Sequence, residues 1–100
     1  MSIRHVVTWK LAATDEAERT AHAREMRERL TALVGQIESI RHLEVGINSV
    51  YPENNWHVVL VSEFDDVAGL DAYQVHPLHQ EIVTFVRSVT AERAAVDYEV

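Results

Sequence analysis

The run Arg4-His5-Val6-Val7-Thr8-Trp9 returns near the middle of the chain as Trp56-His57-Val58-Val59-Leu60-Val61. Two β-rich segments of this kind, each followed by helical periodicity, restrict the possible architectures of a 100-residue chain more than any single motif does. Ile3 to Leu11 alternates, with Ile3, His5, Val7, Trp9 and Leu11 on one face and Arg4, Val6, Thr8 and Lys10 on the other. Asp15, with Glu18 three residues on, marks a helix start, and Ala23, Met26, Leu30, Leu33, Val34 and Ile37 then recur at helical spacing. Ile40 to Val50 alternates again, and Tyr51-Pro52-Glu53-Asn54-Asn55 breaks the chain as a hairpin loop. Trp56 to Phe64 reads as a third strand, with His57, Val59 and Val61 on one face and Val58, Leu60 and Phe64 on the other. From Asp66 the pattern is helical, pauses at His76-Pro77 and resumes through Leu78, Ile82, Val83, Val86 and Val89. Pro77 fits the first position of the second helical piece, where its missing N–H costs nothing. Ala94 to Val100 alternates as a last strand, with Val96, Tyr98 and Val100 expected to face inward together.

The order β-α-β-β-α-β is that of two split β-α-β units. It predicts an α+β, ferredoxin-like fold: a four-stranded antiparallel sheet with its helices on one face, in one domain spanning residues 1–100. The opposite sheet face is left bare, and in the third strand it is apolar in either register. A monomer would expose that patch, so the pattern predicts a homodimer formed through the sheet faces.

Sixteen acidic against nine basic residues give a formal charge of -7, and Lys10 is the only lysine. Such a surface repels phosphate backbones and anionic lipid, so neither nucleic acid nor a membrane is an expected partner. The lack of cysteine excludes thiolate chemistry and fits a reducing compartment. With no signal-peptide pattern and no apolar run of spanning length, the expected location is cytoplasmic. A Gly-x-Ser-x-Gly element and a Gly-rich phosphate loop are both missing.

Six histidines carry what chemistry the sequence offers. His5 and His57 hold equivalent positions in the echoing strands, which predicts that they point to the same sheet face. His79 shares the apolar stripe of the last helix with Ile82, Val83 and Val86. If the helices cover the face of His5, Val7 and Trp9, then His5, His57 and His79 converge in one interior space, with Tyr73 just before the His76-Pro77 break. Gathered imidazoles under a helix are costly in a dry core and point to a cavity. In the first turn of its helix, His79 is held toward the neutral, proton-accepting form by the helix dipole, and a neutral imidazole beside a phenol makes an acid–base pair. Taken singly, each histidine reads as a packing residue, Tyr73 as a core aromatic, and His76 as a cap or turn residue ahead of Pro77. His76-x-x-His79 is a poor metal pair, because Pro77 interrupts the helix and no carboxylate stands at ligand spacing, so no metal and no cofactor is expected.

The strand Arg4-His5-Val6-Val7, the strand Trp56-His57-Val58-Val59-Leu60-Val61-Ser62-Glu63-Phe64 and the run Tyr73-Gln74-Val75-His76-Pro77-Leu78-His79 together resemble the stress-responsive dimeric α/β-barrel (Dabb) domains, over Ile3 to Val100. The resemblance implies ferredoxin-like subunits whose sheets pair into a barrel across a dimer. Members include polyketide cyclases of the olivetolic acid cyclase type, which need no cofactor and use a histidine base with a tyrosine hydroxyl. On that likeness His79 would be the base and Tyr73 the hydrogen-bond donor, with His5, His57 and Trp9 lining the substrate pocket. The expected function is a pocket for a small hydrophobic or aromatic ligand, with acid–base catalysis of cyclase or aldol type on a carbonyl compound. Two alternatives stay open: a non-catalytic, stress-associated or ligand-binding dimer, and a cofactor-free monooxygenase-like enzyme, hinted at by Trp9 or Trp56 near the pocket.

Overall fold

The computed structural model describes residues 2–100. Its elements are β1 (Ile3–Leu11), α1 (Glu16–Thr31), β2 (His42–Ile47), β3 (Val58–Phe64), α2 (Val67–Val75), α3 (Pro77–Val89) and β4 (Thr90–Glu99). The strands lie in the order β2-β3-β1-β4, with every neighbouring pair antiparallel. This is the ferredoxin-like arrangement, and its two central strands are the echoing segments. No helix among the described residues is long and apolar enough to cross a membrane.

The alternation of β1 settles the layering. Ile3, His5, Val7, Trp9 and Leu11 are buried, and Val58, Leu60, Ser62 and Phe64 of β3 are buried beside them. These apolar side chains join Met26 and Leu30 of α1, Leu70 and Tyr73 of α2, and Val86 and Val89 of α3 in one core. Asp15 caps α1 by accepting the Glu18 N–H at 2.9 Å. The helix ends at Thr31, short of the periodic run, and a series of turns with Gly35 at φ 86° still carries Leu33 and Ile37 into the core while Val34 is left 52% exposed. Asp66 caps α2 through the Gly69 N–H at 2.8 Å. The pause before α3 is a second cap: His76 Nδ1 accepts the Leu78 N–H at 3.1 Å, with Pro77 opening the helix.

Two expectations about strand faces fail. His57 precedes β3 and lies out of phase with its helix-facing row of Val58, Leu60, Ser62 and Phe64, so Ser62 and not His57 stands opposite His5. Antiparallel pairing reverses one segment against the other, so like positions in the echo need not meet, and the bulkier apolar set of β3 takes the covered face. In β4, the register pairs Trp9 with Arg93, Val7 with Ala95 and His5 with Asp97. Arg93, Ala95 and Asp97 therefore share the helix side of the sheet. Val96, Tyr98 and Val100 do not face inward and are 63%, 42% and 50% exposed. On the bare face Val96 instead extends a row with Val6 and Val61, which are paired across the three strands.

Candidate active-site cavity

Because β4 offers Arg93, Ala95 and Asp97 where large apolar side chains would fill the interior, the space between the β1–β4 side of the sheet and α3 is not packed solid. A cavity of about 460 Å³ occupies it, within the usual range for small-molecule sites. His5, Val7 and Trp9 line it from β1, Tyr73 and Gln74 from α2, His79, Ile82, Val83 and Arg87 from α3, and Arg93 from β4.

The polar groups are held by defined local structure. The His79 Nδ1–H donates to the Gln74 carbonyl oxygen at 3.1 Å across the α2–α3 break, which leaves Nε2 as its proton-accepting nitrogen. Burial pushes the His79 pKa below the usual imidazole value; the hydrogen bond to Gln74 opposes this, while the His5, Arg93 and His76 charges reinforce it. His79 is therefore neutral at pH 7. The Tyr73 ring stacks at a tilt on His79, with centroids 4.2 Å apart, and meets His5 edge-on at 6.3 Å. Tyr73 is fully buried, and its hydroxyl reaches no hydrogen-bond partner among the described residues. Burial pushes its pKa up to about 12 against the pull of Arg93, so it stays a neutral O–H donor. The Asp97 carboxylate accepts from His5 Nδ1, which orients the ring and leaves Nε2 as its unpaired nitrogen.

Of the residues singled out from sequence, His5, Trp9, Tyr73 and His79 meet in this cavity, and His57 does not. His57 sits at the opposite end of β1, where its Nδ1 accepts the Leu11 N–H at 2.9 Å. Burial there, with the Arg19 and Lys10 charges, lowers its pKa. Contrary to expectation, His57 does not line the pocket, and its imidazole completes a strand end instead. Trp56 also lies away from the cavity, beside His57 in a shallow cleft. Asp97, Arg87 and Arg93 were missed. The expected last strand, Ala94 to Val100, stops short of Arg93, and with Val96, Tyr98 and Val100 expected inward its alternation turns Asp97 outward.

This fold and cavity define a class, the ferredoxin-like α+β subunit with an open site between sheet and second helical layer. The Dabb family model, a stress-responsive A/B barrel domain, matches residues 3–100, and the chain belongs to that family. A dimeric ferredoxin-like protein of unknown function from Bacteroides fragilis is similar, with 32% identity, a TM-score of 0.90, and coverage of 99% of this chain and 96% of that one. A Dabb protein from Mesorhizobium loti is 27% identical over 99% of this chain and 96% of its own, with a TM-score of 0.71. The hydroxynitrile lyase of Passiflora edulis shares the fold, with a TM-score of 0.80 over 99% of this chain and 93% of that one, at 12% identity. No curated protein matches the sequence.

Proposed function

We propose that the protein is a homodimer whose cavity binds a small carbonyl compound and moves a proton on it without a cofactor. The observation that carries this reading is the fully buried, unpartnered hydroxyl of Tyr73, a residue that lines the cavity with His5 and a neutral His79. An unpaired buried hydroxyl costs about 1–3 kcal/mol, and a ligand oxygen in the cavity relieves that cost. In the step itself His79 Nε2 takes a proton from the carbon next to the carbonyl. The C–H electron pair moves into the developing enolate, and Tyr73 O–H donates to its oxygen. His5, steadied by Asp97, offers Nε2 as a second proton carrier on the same side. Enolates of this kind lead to cyclisation and aldol chemistry. The lyase from Passiflora edulis has the same fold, but 12% identity lends no activity to this chain.

The test is exchange of the methyl hydrogens of 2-acetylnaphthalene into heavy water, followed by NMR. The native protein is expected to speed exchange over buffer, with the rate rising with pH through the lowered His79 value and levelling off above it, because the neutral imidazole is the working form. His79→Ala is expected to lose about 100-fold of that acceleration. Equal rates for the native protein and His79→Ala would sink the assignment.

A further inference from the structure

The row of β4 on the helix side of the sheet lies exposed at the sheet edge, and two of its members carry charge. Asp97 is occupied by His5. Arg93 is not: no carboxylate among the described residues lies within ion-pair distance of it, and it makes no side-chain hydrogen bond. Arg87 reaches the same cavity from the last turn of α3 and is equally without an anion. Its position has a structural reason, because a cation at a helix C-terminus is favoured by the dipole. Arg93, exposed on the edge strand, lines the same cavity from the sheet side.

Not one of the side chains lining the cavity is a carboxylate, although acidic residues outnumber basic ones by sixteen to nine in the whole chain. The wall instead presents two guanidinium forks, the Tyr73 phenol and the amides of Gln74 and Gln80, a set dominated by donors. From this we infer that the cavity selects ligands bearing a carboxylate, held by Arg93 with Arg87, so that the carbonyl carbon chemistry at Tyr73 and His79 acts on an oxo acid rather than on a neutral ketone. The inference rests on the acid–base reading for its substrate class. The binding claim stands on the arginines alone.

Charge balance favours a carboxylate over a phosphate. A planar fork matches a two-oxygen carboxylate, whereas the carbonyl end of α3 beside Arg87 and Thr90 adds partial negative charge that opposes a dianion. The Arg93 charge reaches the chemistry as well, since it depresses the pKa of both Tyr73 and His79. A bound carboxylate would offset that influence.

The test titrates the full chain with 2-naphthoate, methyl 2-naphthoate and 2-naphthyl phosphate by fluorescence. The carboxylate is expected to bind about tenfold or more tighter than the ester, the fold-change that one charge-assisted hydrogen bond brings. Arg93→Leu should bring the ratio near one, Arg93→Lys should restore part of it, and Arg24→Gln, on the exposed face of α1, should leave it unchanged. Equal binding of acid and ester, a preference that survives Arg93→Leu, or tighter binding of the phosphate would each overturn the inference. The two readings fail separately. If exchange fails for 6-acetyl-2-naphthoate, a ketone that carries the carboxylate, as well as for 2-acetylnaphthalene, while the Arg93-dependent preference holds, only the catalytic reading is lost; if exchange of either proceeds without the preference, only the carboxylate site is lost.

Discussion

The Tyr73 ring packs against Phe64 at 5.1 Å and His79 at 4.2 Å between centroids, so the ring contributes to the core while the hydroxyl contributes nothing to it. Stability and function therefore diverge at this one oxygen atom. Tyr73→Phe keeps the packing and removes an unpaired buried polar group, so its stability is expected to equal or exceed that of the native protein, by up to about 3 kcal/mol, with a melting temperature no lower. Its exchange activity is expected to fall about 100-fold, the typical cost of one donor to a developing oxyanion. Thermal melts and the exchange assay on the same preparation check both halves. A variant that melts several degrees lower would mean that the hydroxyl has a structural partner, and the argument from its isolation would collapse.

At the scale of elements, the α2–α3 break does the positioning. His76 caps α3, and the backbone it turns brings the Gln74 carbonyl to His79 Nδ1. Loss of a helix cap costs about 1 kcal/mol, so His76→Ala is expected to lower stability by that amount, while His76→Asn, whose side-chain oxygen can accept the same N–H, should retain most of it. Urea unfolding of the two variants decides the matter; equal losses in both would show that the imidazole acts by something other than capping. This break was legible in the sequence, because Pro77 and the interrupted apolar stripe mark it locally. The division of β1 into two faces was legible too, with its covered side left as a condition. The side of the sheet to which His57 and the β4 residues point was not, since alternation says which residues share a face and leaves open which face the neighbours cover. The echo suggests that its two segments superpose, which would set His57 beside His5; in the fold they run antiparallel, and Ser62 takes that place. Asp97 and Arg93 are not legible for a related reason: on an exposed edge strand the helix side carries polar residues as the outer side does, so alternation of polarity does not mark which side borders the cavity.

The whole molecule has one sheet face still to account for. Val6, Val61 and Val96 run across three strands at its centre, with the Arg4–Glu63 ion pair at 3.1 Å and Lys10 near Glu92 at 3.8 Å toward its margins. An apolar centre with a charged rim is the layout of a protein interface, and burying such valines stabilises by on the order of 1 kcal/mol each. In a two-fold pair each row meets its own copy, so one substitution acts twice. In the proposed sheet-face dimer Val61→Lys would place two ammonium groups at the centre of the contact, so at micromolar concentration the variant is expected to sediment as a monomer and the native chain as a dimer. The cavity lining lies on the other side of the sheet from this row. The folded Val61→Lys monomer should therefore keep the exchange activity of each native subunit, at a lower melting temperature. A native chain that sediments as a monomer would refute the sheet-face dimer. A folded monomeric variant without activity would leave the dimer in place and show that the site needs the partner to hold its shape.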